Sequence, residues 1–327
     1  MARHLPALAI ALAVQLLIVA AVWWSRASDA DAGATAFIEF DRTSIDRVTI
    51  DGDGATVILE KSADGWTLPA LEALPADGQK VSDMLTKLEG TGASWPVATT
   101  DGAARRFEVT EEKYQRRIRL ATGNEVAVDL YLGTSPGFRK VHARRADGDS
   151  VYAITFANYE AATKAEDWLD KSLIALDGDL TVVARPGAWR LSMEGESWHL
   201  DDLAEGAATD ADKARDVVSK VTNLRVIGLA GEDQVSAVAE SQPLFQLAAT
   251  TGAEEVTYAF FRPDAEGDFL VRASLHPQLF RIAAYNAEGL DVARDSLIVT
   301  ASPDEPADPE AEPSDSEPEP ESTPADQ

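Results

Sequence analysis

The residues of this chain that could do chemistry are few in kind and scattered along its 327 positions. Gly133-Thr134-Ser135-Pro136-Gly137 matches the G-x-S-x-G pattern of a nucleophile elbow. Such an elbow needs a strand before the serine and a helix after it. Here Pro136 follows the serine and Phe138-Arg139-Lys140-Val141 has strand character, so the spacing predicts a hairpin loop. Asp51-Gly52-Asp53-Gly54 starts like a calcium loop. It lacks the alternating third ligand and the glutamate at the twelfth position, and is expected to be a turn. His4, His142, His199 and His276 form no H-x-x-x-H pair, so metal ligation could come only from tertiary convergence. No glycine-rich phosphate loop opens a helix. Among 56 acidic residues no pair stands out as general acid and base. Arg105, Arg106, Arg116, Arg117, Arg119, Arg139, Lys140, Arg144 and Arg145 make one region locally basic. That region is either a solvated face or a docking patch for an acidic partner. The sequence therefore assigns no catalytic, cofactor-binding or metal-binding residue, no cofactor, and no enzyme activity.

Composition narrows the classes further. The net charge is −27, from 56 acidic and 29 basic residues. Nucleic-acid binding relies on Lys and Arg neutralising phosphates, so no nucleic-acid partner is expected. The same charge opposes flat adsorption on an anionic membrane. There is no cysteine. Disulfides, thiolate metal sites, a cysteine nucleophile and a lipid-anchored amino terminus are excluded with it.

The elements that must position any site are written twice. Val57-Ile58-Leu59-Glu60-Lys61, a turn at Ala63-Asp64-Gly65, and Trp66-Thr67-Leu68 read as a hairpin. Asp-Gly between β-formers is a strong hairpin signal, because a primed turn needs positive φ. Val81, Met84, Leu85 and Leu88 follow at i, i+3, i+4 and i+7, the spacing of one helix face. Trp189 to Met193, a turn at Glu194-Gly195-Glu196, Trp198-His199-Leu200, and then Ala214, Val217, Val218 and Val221 repeat the order. Asp77 and Asp210 precede the two stripes as N-caps. Trp66 and Trp198 are expected in core packing. Further strands are predicted at Arg117 to Leu120, and at Val126, Val128, Leu130 and Leu132, which alternate with polar positions. Val141 to Ala143 and Val151 to Thr155 continue that series, and Asn158 to Trp168 reads as a helix. Residues 95–116 read as an irregular connection through Asp101-Gly102. In the second half Phe245, Val256, Phe269 and Phe280 open the later strands, and Asp295-Ser296-Leu297 echoes Lys171-Ser172-Leu173.

The predicted fold is α+β: a tandem repeat of two lobes, each an antiparallel sheet with one main packed helix. The divisions are an anchor at 1–28, a linker at 29–36, a first lobe at 37–174, a second at 175–300, and a tail at 301–327. The anchor rests on residues 5–24, twenty residues broken only by the polar Gln15, the length of a bilayer-spanning helix. Arg3 and His4 before it favour a cytoplasmic amino terminus and an extracytoplasmic bulk. A cleaved leader is the alternative, with small residues at Ala30-Asp31-Ala32. The tail has seven prolines and ten acidic residues without a basic one, too little apolar surface to offset ordering.

Phe40-Asp41, Leu59-Glu60-Lys61, Asp64-Gly65-Trp66, Ala76-Asp77, Leu132-Gly133, Val151-Tyr152 and Leu169-Asp170-Lys171-Ser172-Leu173 occur in an order that resembles the domain-of-unknown-function 4340 family. The resemblance runs over about residues 37–300 in two copies. It departs near Arg106-Phe107-Glu108-Val109, where a Tyr-Gly-Leu and Pro segment would be expected. What it implies is a non-enzymatic, single-pass protein of the bacterial inner membrane with its bulk in the periplasm. The implied partner is a membrane protein such as an ABC transporter permease or its auxiliary subunit, of the gliding-motility auxiliary type. A secreted or periplasmic binding module for a glycan or small ligand is the second reading.

Overall fold

A computed structural model describes residues 35–300 except Ser94 and Ala253, together with Gln15. The expected anchor at residues 5–24 and the tail at 301–327 lie outside the described residues. Among the described residues no helix is long and apolar enough to cross a membrane.

Two antiparallel sheets of eight strands each carry the chain. Ahead of the first comes β1 (Thr35–Ala36), which pairs with a later strand in a separate two-stranded sheet. Then β2 (Arg47–Gly52), β3 (Ala55–Ser62), β4 (Gly65–Leu68) and β5 (Leu74–Pro75) run as a meander. The Ala63-Asp64 turn joins β3 to β4, and Gly65 takes φ 127° there. Helix α1 (Gly78–Glu89) follows. Asp77 caps it, its Oδ1 accepting from the Lys80 amide at 3.0 Å. Val81, Met84, Leu85 and Leu88 are its buried residues, the four that the spacing placed on one face. Next come β6 (Gly92–Ala93), which pairs with β1, and α2 (Asp101–Arg106). The half closes with β7 (Arg116–Thr122), β8 (Glu125–Leu132), β9 (Val141–Arg145) and β10 (Val151–Ile154). The order across the sheet is β10-β9-β8-β7-β2-β3-β4-β5.

The second half repeats most of that plan. Its strands are β11 (Val182–Arg185), β12 (Trp189–Glu194), β13 (Ser197–Leu200), β14 (Ala207–Thr209) and β15 (Gly228–Leu229). They continue as β16 (Phe245–Thr250), β17 (Glu255–Phe261), β18 (Phe269–Ala273), β19 (Leu279–Ile282) and β20 (Ile298–Thr300). The order across the second eight-stranded sheet is β13-β12-β11-β16-β17-β18-β19-β15, which matches the first except at the edge strands β5 and β15, while β14 and β20 pair apart from it. Helix α3 (Ala211–Thr222) buries Ala214, Val217, Val218 and Val221, and Asp210 caps it. Shorter helices are α4 (Glu232–Val238) and α5 (Ala284–Ala287). Trp66 pairs across the strands with Lys61, and Trp198 with Met193; each is half-buried against the core one residue into its strand.

A clasp closes each half at the start of its main helix. The Asp77 amide donates to the Trp168 carbonyl at 2.7 Å, and the Asp210 amide to the Leu297 carbonyl at 2.9 Å. Beside them Ala76 bridges Leu169 and Thr209 pairs with Ile298. Trp168 therefore corresponds to Leu297, and Leu169 to Ile298. The echo expected between Lys171-Ser172-Leu173 and Asp295-Ser296-Leu297 is out of register with this geometry.

Three further expectations differ. Residues 158–168 form no α-helix; they make 3-10 turns at Asn158–Glu160 and Ala165–Asp167. An extended exit after Trp168 is needed for Leu169 to pair with Ala76. The 95–116 connection contains α2, capped by Thr100, with Gly102 inside the helix rather than in a turn. In β8, Val126 is 55% exposed while Tyr131 is buried. The register against β7 shifts between Leu120 and Ala121, which leaves Ala127 as an extra residue and reverses the facing of Val126. Tyr131 is covered from the other side by Val109 and the half-buried Tyr114.

Most of the buried apolar residues form one cluster with members from both halves, among them Trp168, Leu169, Leu173 and Ile174, and two small clusters lie apart from it, around Tyr131 and around Phe261.

Candidate functional site

The basic region sorts into paired and unpaired arginines once the sheet is formed. Arg117 meets Asp129 with two bonds, Nε to Oδ1 at 2.9 Å and a terminal nitrogen to Oδ2 at 2.7 Å. They lie on neighbouring strands, β7 and β8, and meet diagonally, since Arg117 faces Tyr131 and Asp129 faces Arg119 in the ladder. Arg119 pairs with Asp51 at 2.7 Å and Arg116 with Asp53 at 2.7 Å. Arg145 pairs with Asp147, and Arg144 donates to the carbonyls of Val109 and Gly148. Hydrogen bonding to Asp129 raises the Arg117 pKa against the opposing effect of burial. The Asp51-Gly52-Asp53-Gly54 stretch is the predicted turn, with Asp53 and Gly54 at positive φ. Its two carboxylates are engaged by arginines, so they balance charge in the sheet.

Arg105, Arg106, Arg139 and Lys140 have no ion-pair partner among the described residues. Two of them, Arg139 and Lys140, lie within the 133–140 loop between β8 and β9, and Arg106 stands at its root. Residues 135 to 140 are all exposed, and Phe138 is 87% exposed. The loop is nonetheless held. Ser135 Oγ lies 2.8 Å from the Gly137 carbonyl and 2.7 Å from that of Lys140. The Lys140 amide closes a tight turn onto the Gly137 carbonyl at 3.2 Å. Arg139 occupies that turn at φ 52°, and its guanidinium carbon lies 5.1 Å from the Phe138 ring centre. The G-x-S-x-G look-alike is thus a hairpin loop, as its spacing predicts. The serine hydroxyl braces the turn and faces no base.

The root of this loop is a stack. Phe107 and His142 lie ring on ring at 4.0 Å, and the Arg106 guanidinium carbon sits 4.7 Å from the Phe107 centre. The Phe107 carbonyl accepts the Thr134 amide at 2.9 Å. Thr134 Oγ1 and His142 Nδ1 share a bond of 2.9 Å. Gly133 packs so closely on the Phe107 and Glu108 carbonyls that no side chain fits there. Burial pushes the His142 pKa down and the Arg106 charge adds to that, with the Thr134 bond opposing. His142 is therefore neutral at pH 7.

The other histidines stand apart. His199 is exposed on β13. His276 Nε2 lies 3.0 Å from the Leu173 carbonyl; a carbonyl only accepts, so this nitrogen carries the proton. His4 lies outside the described residues. Among the described residues no three His, Asp or Glu side chains are grouped as a metal site. An open cleft of about 660 Å³ lies between Phe37, Ile38 and Glu39 on one side and Val126, Asp129 and Arg145 on the other.

Sequence reasoning grouped the arginines but could not separate those with partners from those without. The signal for the loop was present in the run Phe138-Arg139-Lys140, where an apolar residue adjoins two cations after Pro136-Gly137.

A duplicated-order α+β protein with two eight-stranded antiparallel sheets is the class these features define. The chain belongs to the family described as domain of unknown function (DUF4340), whose model matches residues 66–243. The match is one span that begins in β4, crosses the junction between the sheets and ends before β16, so it does not fall once on each half. No curated protein and no solved structure matches the chain.

Proposed function

We propose that this protein is a non-enzymatic accessory subunit, tethered to the bacterial inner membrane with its bulk in the periplasm, that works by contacting a membrane-protein partner. The observation carrying the reading is the run at residues 5–24, whose length and apolarity suit a bilayer span. It leads through a short polar stretch into β1, just ahead of the first sheet. The matching order of the two sheets supports descent from one copied sheet-plus-helix unit, held together as a single body by a shared core. The partner class is an ABC-type transport component.

The test is chemical crosslinking in intact membranes followed by affinity purification of the full chain. The expected result is a chain that sediments with membranes, keeps Met1 by intact mass, and recovers a transport component in more than one preparation. A mature chain that starts beyond residue 24 would remove the tether and favour a secreted binding module.

A further inference from the structure

We propose that the 134–140 loop is a docking finger. Phe138 enters an apolar pocket on a protein partner, and Arg139, Lys140 and Arg106 meet carboxylates on its rim. This rests on the accessory reading above and says which surface makes the contact.

Three observations point the same way. First, an aromatic side chain that is 87% exposed at a loop tip buries nothing in this chain. Aromatic residues beside arginine are the groups that most often carry interface energy when buried by a partner. Secondly, the tip is built rather than loose. Ser135 braces it through two carbonyls, and the turn closes from Lys140 to Gly137. Arg139 sits at φ 52°, a region where glycine is favoured and an arginine is strained. In return its guanidinium is laid along the Phe138 ring. Thirdly, these cations have no acidic partner among the described residues, on a chain whose net charge is −27. By contrast, the three basic side chains of the neighbouring strand β7 each meet a carboxylate.

A protein fits this finger better than a lipid surface. Residues 37–39, which follow β1, line a cleft together with Val126 and Asp129 of β8. The finger leaves β8 after Leu132, its last residue. At ~3.3 Å per residue, Val126 and Asp129 lie roughly 20 Å and 10 Å along β8 from Leu132. The overall negative charge would also be repelled by anionic headgroups.

The test uses the full chain in its native membranes with p-benzoylphenylalanine in place of Phe138, and a control carrying it in place of the exposed Tyr285 on the second half. Irradiation is expected to give one protein adduct from position 138 and none of that mass from 285. Arg139→Glu with Lys140→Glu should lower the yield about 10-fold or more, and added salt should lower it too. Arg139→Gly should melt at a higher temperature than the parent yet crosslink less, a split that a merely structural turn would not show. An adduct unaffected by charge reversal, an adduct to lipid alone, or no adduct from 138 overturns the finger. If general amine crosslinking still recovers a membrane partner in that last case, the accessory reading survives and only the finger falls.

Discussion

At the residue scale the sharpest contrast is between charges that found partners and charges that did not. Arg117, Arg119 and Arg116 are drawn onto Asp129, Asp51 and Asp53 because the strands set them side by side. Pairs of this kind on a half-exposed sheet contribute up to ~1 kcal/mol each, enough to fix local geometry. His142 has a different consequence. Its ordinary pKa of 6.5 is lowered in the fold, chiefly by burial. Below pH 6.5 the unfolded chain therefore takes up a proton that the folded chain resists, so stability falls as pH drops through that value. His142→Gln should lose less stability than the parent between pH 7 and pH 5, as read by urea unfolding at each pH. Equal losses in the two proteins would mean that the stack tolerates the imidazolium. The basic cluster was legible in the sequence as a cluster, but its division was not, since pairing depends on strands brought together from positions up to 68 residues apart.

At the element scale the two main helices behave as their spacing requires. Each is twelve residues long, with four buried apolar side chains on one face. Helices of this length are marginal alone, so packing on the sheet has to hold them. Asp77→Ala and Asp210→Ala should each cost ~1 kcal/mol in thermal unfolding, the usual loss of an N-cap. Leu85→Ala on α1 should cost more, about 2–5 kcal/mol, because it opens a cavity under the sheet. If either aspartate variant matched the parent, the capping bonds would be incidental. The helix expected at 158–168 fails for a reason visible only in three dimensions. Trp168 is fully buried, and its Nε1 donates to the Ala162 carbonyl at 2.9 Å. The chain must then run extended so that Leu169 can pair with Ala76. Apolar spacing there reports burial from two sides and mimics a helical stripe. The β7–β8 register shift likewise left Val126 in a run that reads as a clean alternation.

At the scale of the whole molecule the halves are joined by more than a linker. Lys171 Nζ donates to the carbonyls of Glu166 and Ile227, one from each side of the junction. Tyr258 donates to the Ile174 carbonyl at 2.8 Å, and Val226 to that of Lys171 at 3.0 Å. With most of the core in one cluster shared by both halves as well, the halves should unfold together. Differential scanning calorimetry is expected to give a single transition whose van't Hoff and calorimetric enthalpies agree. Two resolved transitions would mean that the halves are separate folding units joined only at their surfaces. The family match, which crosses the junction, agrees with a unit that includes it.

Local spacing alone determined the two hairpins, both capped helices with their buried faces, the turn at Asp51 to Gly54 and the serine's place in a loop. These follow from periodicity and turn chemistry within about twenty residues, where a side chain's facing is set by the backbone it sits on. Tertiary structure decided which arginines are neutralised, which carbonyl closes each clasp, where the register shifts and that one core serves both sheets. Those depend on contacts between distant segments, and the energy of such a contact is not written in either segment by itself.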